Sequence, residues 1–124
     1  MKKVVATDNA PLAIGPYSQS ISANNMLFIS GQIPIDPVSG SIPEGIKAQT
    51  AQSIANAQAI LEAASLSLKD VVKTTVFIVD LDNFIDMNEV YGSYFEEPYP
   101  ARSTVEVSKL PRDAMVEIEM TAVF

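Results

Sequence analysis

The 124-residue chain contains no cysteine and no histidine, and these two absences exclude more chemistry than any single motif suggests. Without cysteine there is no disulfide and no thiol nucleophile. Without histidine there is no histidine-based triad, and almost every zinc or haem arrangement loses its ligands. Positive charge is also scarce: 8 lysines and arginines stand against 15 aspartates and glutamates, giving a net charge of −7, and no basic run exceeds Lys2-Lys3. That balance argues against a phosphate-backbone partner, so nucleic acid is not the expected ligand. A small anionic substrate remains compatible, because one well-placed arginine outweighs a distant acidic background inside a cleft. No apolar run approaches the roughly 18 residues needed to cross a bilayer, and the start, Met1 to Asn9, lacks the apolar core of a signal peptide. A cytoplasmic protein with no membrane partner is the expectation.

What is present fits one domain spanning residues 1–124, with 48% hydrophobic residues for a core and only 19% charged residues for a surface. So low a charged fraction suggests that part of the surface is covered by other copies of the chain. Tyr17 to Ser22 and Met26 to Ser30 read as two short strands joined by a tight turn at Asn24-Asn25, residues that tolerate positive φ. Pro34, Pro37, Gly40, Pro43 and Gly45 then punctuate a loop. From about Ile46 to Ala64, Thr50, Ile54, Ala57, Leu61 and Ala64 recur at steps of three and four, the period of a helix packed by small residues. Val71 to Val79 is a dense β-branched run and reads as a central strand. Asp80 to Asn83 can cap a second helix, with Phe84, Met87, Tyr91 and Tyr94 or Phe95 at helical spacing, stopped by Glu97-Pro98. Two strands close the chain, so the expected fold class is α+β in the order ββαβαββ.

Those last two runs carry the charged chemistry. Strand periodicity places Arg102, Thr104 and Glu106 on one face and Ser103, Val105 and Val107 on the other. In the second run Ala114, Val116, Ile118, Met120, Ala122 and Phe124 form an apolar face, opposite Met115, Glu117, Glu119 and Thr121. Pairing the two runs through a turn at Lys109 to Asp113 would set Thr104 against Glu117 and Arg102 against Glu119, bringing the guanidinium one diagonal step from Glu117.

Arg102, one of only two arginines, reads either as a surface ion pair with Glu119 or Glu106 or as a two-pronged clamp for a substrate carboxylate. Glu117 either solvates a sheet face or, if another subunit covers that face, becomes a proton-transfer group with a raised pKa. Composition alone allows Glu119 the same role. Tyr17 follows Gly15-Pro16, and Ser30-Gly31 ends a strand, where a glycine permits close approach to backbone donors. Ser30 has no base to activate it as a nucleophile. Asn88 is a weak helix former inside the second helix, with its amide reaching either a site or water.

Ordered motifs extend along nearly the whole chain: Gly15-Pro16-Tyr17-Ser18-Gln19, Phe28-Ile29-Ser30-Gly31-Gln32-Ile33-Pro34, Lys73-Thr74-Thr75-Val76-Phe77, Asn88-Glu89-Val90-Tyr91, Pro100-Ala101-Arg102-Ser103, and Val116-Glu117-Ile118-Glu119. In these the chain resembles the reactive-intermediate deaminase family, also called YjgF-like or UK114-like. The resemblance implies a chorismate-mutase-like α+β subunit, with two helices on one face of a mainly antiparallel sheet, assembled as a homotrimer with clefts between subunits. It implies hydrolysis of 2-imino acids, and of the 2-aminoacrylate-type enamines that tautomerise to them, to 2-oxo acids and ammonia, without a cofactor or metal. By matched positions Arg102 is the carboxylate-binding arginine, Glu117 the residue that handles water and proton, and Tyr17, Ser30, Gly31 and Asn88 line the pocket. Thr104 stands where a well-studied branch often has cysteine. It keeps size and hydrogen bonding but loses thiol reactivity, and an imine that already reacts with water needs no covalent nucleophile. The rival readings are a non-catalytic binder of small carboxylates such as serine, threonine or 2-oxobutanoate, a chorismate mutase, which calls for more cationic groups than two arginines, and an RNA-directed inhibitor or nuclease.

Overall fold

A computed structural model describes residues 1–124 as one six-stranded sheet with two helices on a single face. The strands are β1 (Lys3–Val5), β2 (Ser20–Ala23), β3 (Met26–Gln32), β4 (Val71–Ile78), β5 (Ala101–Glu106) and β6 (Val116–Val123). The helices are α1 (Ile46–Ala63) and α2 (Phe84–Tyr94). Both expected helices and the five expected strands form, and β1 precedes them. Three residues long, with Val4 exposed, β1 lacks the apolar alternation that would have marked it. The first expected strand starts later than its pattern suggested, at Ser20, which leaves Tyr17 in the loop before it. Asn24 and Asn25 take φ of 50° and 62°, as the two-residue β2–β3 hairpin requires.

The core lies between helices and sheet. From α1 it takes Thr50, Ile54, Ala57 and Leu61, and from α2 Met87 and Tyr91. Val76 and Ile78 of β4 and the face Val116, Ile118, Met120 and Ala122 of β6 complete it. Phe124 departs from that face and is about half exposed, because β6 ends at Val123. Asp80 caps a 3₁₀ turn, Leu81–Asn83, and α2 begins at Phe84 after it.

The expected β5–β6 hairpin does not form. The strand order is β1-β2-β3-β6-β4-β5, so β4 lies between them, antiparallel to β6 and parallel to β5. A parallel neighbour needs a crossover, and α2 provides it between β4 and β5. The β5–β6 connection instead spans the width of β4, with Leu110 and Ala114 buried as anchors and Arg112 and Asp113 at φ of 58° and 55°. Across the sheet the aligned residues are Arg102, Thr74 and Met120, then Thr104, Val76 and Ile118, then Val105, Phe77 and Glu117. Laterally paired residues project to one face. Arg102 and Thr104 therefore share the helix-side face with Met120 and Ile118, while Glu117 and Glu119 project from the other. The expected pairs Thr104–Glu117 and Arg102–Glu119 are replaced by this register.

Candidate active site

Arg102 sits near the start of the outermost strand, where its side chain passes under α2. Its Nη1 donates to Asn88 Oδ1 at 2.7 Å, and the guanidinium carbon lies 4.6 Å from the centre of the Tyr91 ring and 5.7 Å from that of Phe84. No carboxylate lies within ion-pairing distance: the two salt bridges of the chain are Lys47–Glu89 and Lys109–Asp113. The ion pairs considered from sequence are thus absent. Glu119 projects from the opposite face, and Glu106 accepts instead from the Leu81 backbone N–H at 2.9 Å. Asn88 is brought to Arg102 as an orienting acceptor. Thr104 follows two residues later on the same face, and its Oγ1 is buried without a hydrogen-bond partner. As the outermost strand, β5 also leaves one backbone edge unpaired.

The second group forms on the other face. Glu117 is half-buried near the start of β6, between two fully buried neighbours, Val116 and Ile118. Burial, and next the negative charge of Glu119, raise its pKa above the ordinary carboxylate value. Its carboxylate lies against Gly31: a Cβ at that position would fall 2.6 Å from Glu117 Oε2. The glycine makes room for the acid itself, a reason the sequence did not disclose. Beside it Ser30 donates its hydroxyl to the Ser18 carbonyl at 2.6 Å, which fastens the strand to the loop carrying Tyr17. That loop is held by Gln19, 3% exposed, whose amide accepts from Thr7 N–H and donates to the carbonyls of Thr7 and Pro11 and, at 3.4 Å, of Ala10. Tyr17 is exposed and borders a hollow of about 490 Å³ with Val4, Leu12 and Gln19.

The structure thus collects the sequence-predicted residues into two groups: Arg102, Asn88 and Thr104 on the helix side, and Glu117, Gly31 and Ser30 on the other, with exposed Tyr17 in the loop that Ser30 fastens through Ser18. It does not bring the groups together within one chain. A further hollow of about 470 Å³, between the ends of α1 and α2, contains none of them. Tyr91 was missed as a site residue, since an aromatic at helical spacing reads as core. The signal was its place on the helix face that also carries Phe84 and Asn88.

Comparisons with known proteins bear on the family of the chain. Residues 7–124 match the family described as Endoribonuclease L-PSP. A RutC family protein of Pyrococcus horikoshii is 58% identical over 123 residues, covering 98% of each chain. The 2-iminobutanoate/2-iminopropanoate deaminase of Escherichia coli is 50% identical over 126 residues, covering 99% of this chain and 98% of that one. Among solved structures, Escherichia coli TdcF with bound serine superposes with a TM-score of 0.94 at 47% identity, covering 98% of both chains. With the fold, the motifs and these relatives in agreement, the chain belongs to the Endoribonuclease L-PSP family, in the RutC/YjgF-like group that contains the 2-iminobutanoate/2-iminopropanoate deaminases.

Proposed function

We propose that the protein is a hydrolytic deaminase that converts 2-imino acids, and the enamines that tautomerise to them, into 2-oxo acids and ammonia. The observation that carries the assignment to particular residues is the state of Arg102: its guanidinium is oriented by Asn88 and Tyr91 but engages no carboxylate of the chain. An oriented, unpaired guanidinium is suited to two parallel hydrogen bonds with a substrate carboxylate. Backbone N–H groups on the free edge of β5 and the unpartnered Thr104 hydroxyl support that end of the ligand.

Glu117 acts at the other end. Burial, with the Glu119 charge beside it, raises its pKa above the ordinary carboxylate value, which makes it a better proton acceptor than an exposed glutamate. It accepts a proton from a water as the water oxygen bonds to the imine carbon, and returns that proton to the nitrogen. Glu117 then takes the hydroxyl proton of the resulting carbinolamine and passes it to the nitrogen as the C–N bond breaks and the C=O bond forms, so one water is consumed and one ammonia leaves. Tyr17 borders the entrance, and Ser30 and Gly31 hold the strand that faces Glu117. Orientation and electrostatics provide the acceleration.

Both groups act on one substrate only if they come from different copies of the chain. Two distinct surfaces on opposite sides of a subunit make a head-to-tail contact, which closes into a ring when the rotation is right. In this reading the ring is the homotrimer of the family, and each cleft takes Arg102 from one subunit and Glu117 from its neighbour. The surface to be covered is already apolar in part: Phe28, Val105 and Val123 are exposed on the face that carries Glu117. Sedimentation at micromolar concentration is expected to give a trimer, and a stable monomer would contradict the shared site.

The assignment is tested with freshly generated 2-iminopropanoate, trapped by semicarbazide as it escapes hydrolysis. Arg102→Ala is expected to abolish the enzyme-dependent loss of imine without unfolding the protein, and Arg102→Lys to restore little, since an ammonium lacks the planar two-pronged geometry. Wild-type turnover in Arg102→Ala would contradict the clamp. The serine-bound relative also fits binding of small carboxylates without catalysis. Glu117→Gln separates the two readings: the deaminase loses hydrolysis while still binding 2-oxobutanoate, whereas a binder shows no hydrolysis even as wild type.

A further inference from the structure

We infer that Tyr91 is a positioning residue of this site, holding the Arg102 guanidinium where it meets the substrate carboxylate. The inference rests on the reading of Arg102 as the carboxylate clamp. Phe84, Asn88 and Tyr91 lie four and then three residues apart, so they share one face of α2, and all three touch Arg102. Asn88 fixes one guanidinium nitrogen through a single hydrogen bond. The aromatic rings fix the faces of the group and leave its remaining in-plane N–H groups free.

Tyr91 is the most constrained of the three. It is 5% exposed, and its ring packs against Phe95 with centroids 4.6 Å apart. Its hydroxyl lies 2.7 Å from Thr74 Oγ1 in the interior. Thr74 is the β4 residue paired directly with Arg102 of β5. The tip of Tyr91 is therefore tied to the strand beside the one that carries the arginine, and the ring itself is one wall of the arginine's seat. A movement of α2 away from the sheet would break both contacts together. Burial raises the pKa of the phenol, so the hydroxyl stays protonated and keeps its bond to Thr74 through the working pH range.

The inference predicts a loss that a general packing role would not give. Tyr91→Leu is expected to weaken 2-oxobutanoate binding and to raise KM by roughly 5- to 30-fold, the range of a desolvated cation–π contact, with kcat changed far less. Tyr91→Phe, which keeps the ring, is expected to recover most of that binding. In an Arg102→Lys background, Tyr91→Leu should cost little further affinity, because the group it positions is gone. Unchanged 2-oxobutanoate binding in Tyr91→Leu, or an equal loss in the Arg102→Lys background, would overturn the inference.

A measurement on the wild-type protein avoids dependence on the folding of the leucine variant. The Arg102 Nε–Hε NMR signal is expected to be shifted upfield by the Tyr91 ring and to be as rigid as the backbone. A mobile, unshifted signal would overturn the inference. The two claims also fail differently. Wild-type turnover in Arg102→Ala removes the clamp, and with it the positioning role of Tyr91. An inactive Arg102→Ala together with normal binding by Tyr91→Leu removes only the role of Tyr91.

Discussion

Arg102 and Glu117 project from opposite faces of the same sheet, separated by the whole of β4. Arg102 aligns with Thr74 and Met120, Glu117 with Phe77 and Val105, three residues along. Two strand spacings across and three residues along place their Cα atoms about 14 Å apart. No rotamer change brings a guanidinium and a carboxylate on opposite sides of a sheet onto one small substrate. In the proposed mechanism Arg102 and Glu117 thus form two half-sites, which only an assembly of copies would join.

Gly31→Ala is expected to inactivate the protein while leaving its fold intact. The new Cβ would fall 2.6 Å from Glu117 Oε2, and the carboxylate would have to swing away. Displacing a proton-transfer group by about an ångström costs on the order of 100-fold in turnover. Steady-state imine hydrolysis beside a circular dichroism melt checks this. Unchanged kcat would show that Glu117 does not need its place against β3.

Glu119→Gln is expected to move the acidic limb of the kcat/KM profile to lower pH. Burial is the larger cause of the raised Glu117 pKa, and the Glu119 charge adds to it. Removing that charge makes ionisation of Glu117 easier, so the base form persists further into acid. A profile of imine hydrolysis between about pH 4 and 8 reads the direction. A limb that moves upward would reverse the assigned coupling.

Gln19→Ala is expected to destabilise the protein by about 2–3 kcal/mol, because the buried amide satisfies groups of Thr7, Ala10 and Pro11 that would be left without partners. Urea unfolding gives the size of the loss. Since the same amide anchors the loop leading to Tyr17, imine hydrolysis should weaken as well.

Much of the molecule was legible in the sequence where periodicity and burial agree. The spacing of Thr50, Ile54, Ala57 and Leu61 located α1, the β-branched run from Val71 located β4, and Asn24-Asn25 marked a true hairpin. The candidate site residues were proposed from the motifs. What failed was adjacency: β5 and β6 follow each other in the chain, yet the most apolar strand, β4, takes the place between them and accepts both as neighbours. Strand periodicity fixed which residues share a face within each run, but not which face of the sheet each run offers. The supposed neighbours Arg102 and Glu117 therefore part to opposite sides. The roles of Gly31 toward Glu117 and of Tyr91 toward Arg102 are tertiary contacts, to which local propensity is blind.

Mixing two inactive variants tests the central claim most directly. Each cleft of the proposed trimer needs Arg102 from one subunit and Glu117 from the next, so Arg102→Ala and Glu117→Gln chains co-expressed in equal amounts regenerate intact clefts wherever the two unaltered residues meet. With random assembly that happens at about one quarter of the clefts. The account predicts that the mixture hydrolyses 2-iminopropanoate at about one quarter of the wild-type rate, while each variant alone is inactive. A mixture no more active than its parents would contradict a site shared between opposite faces of neighbouring subunits.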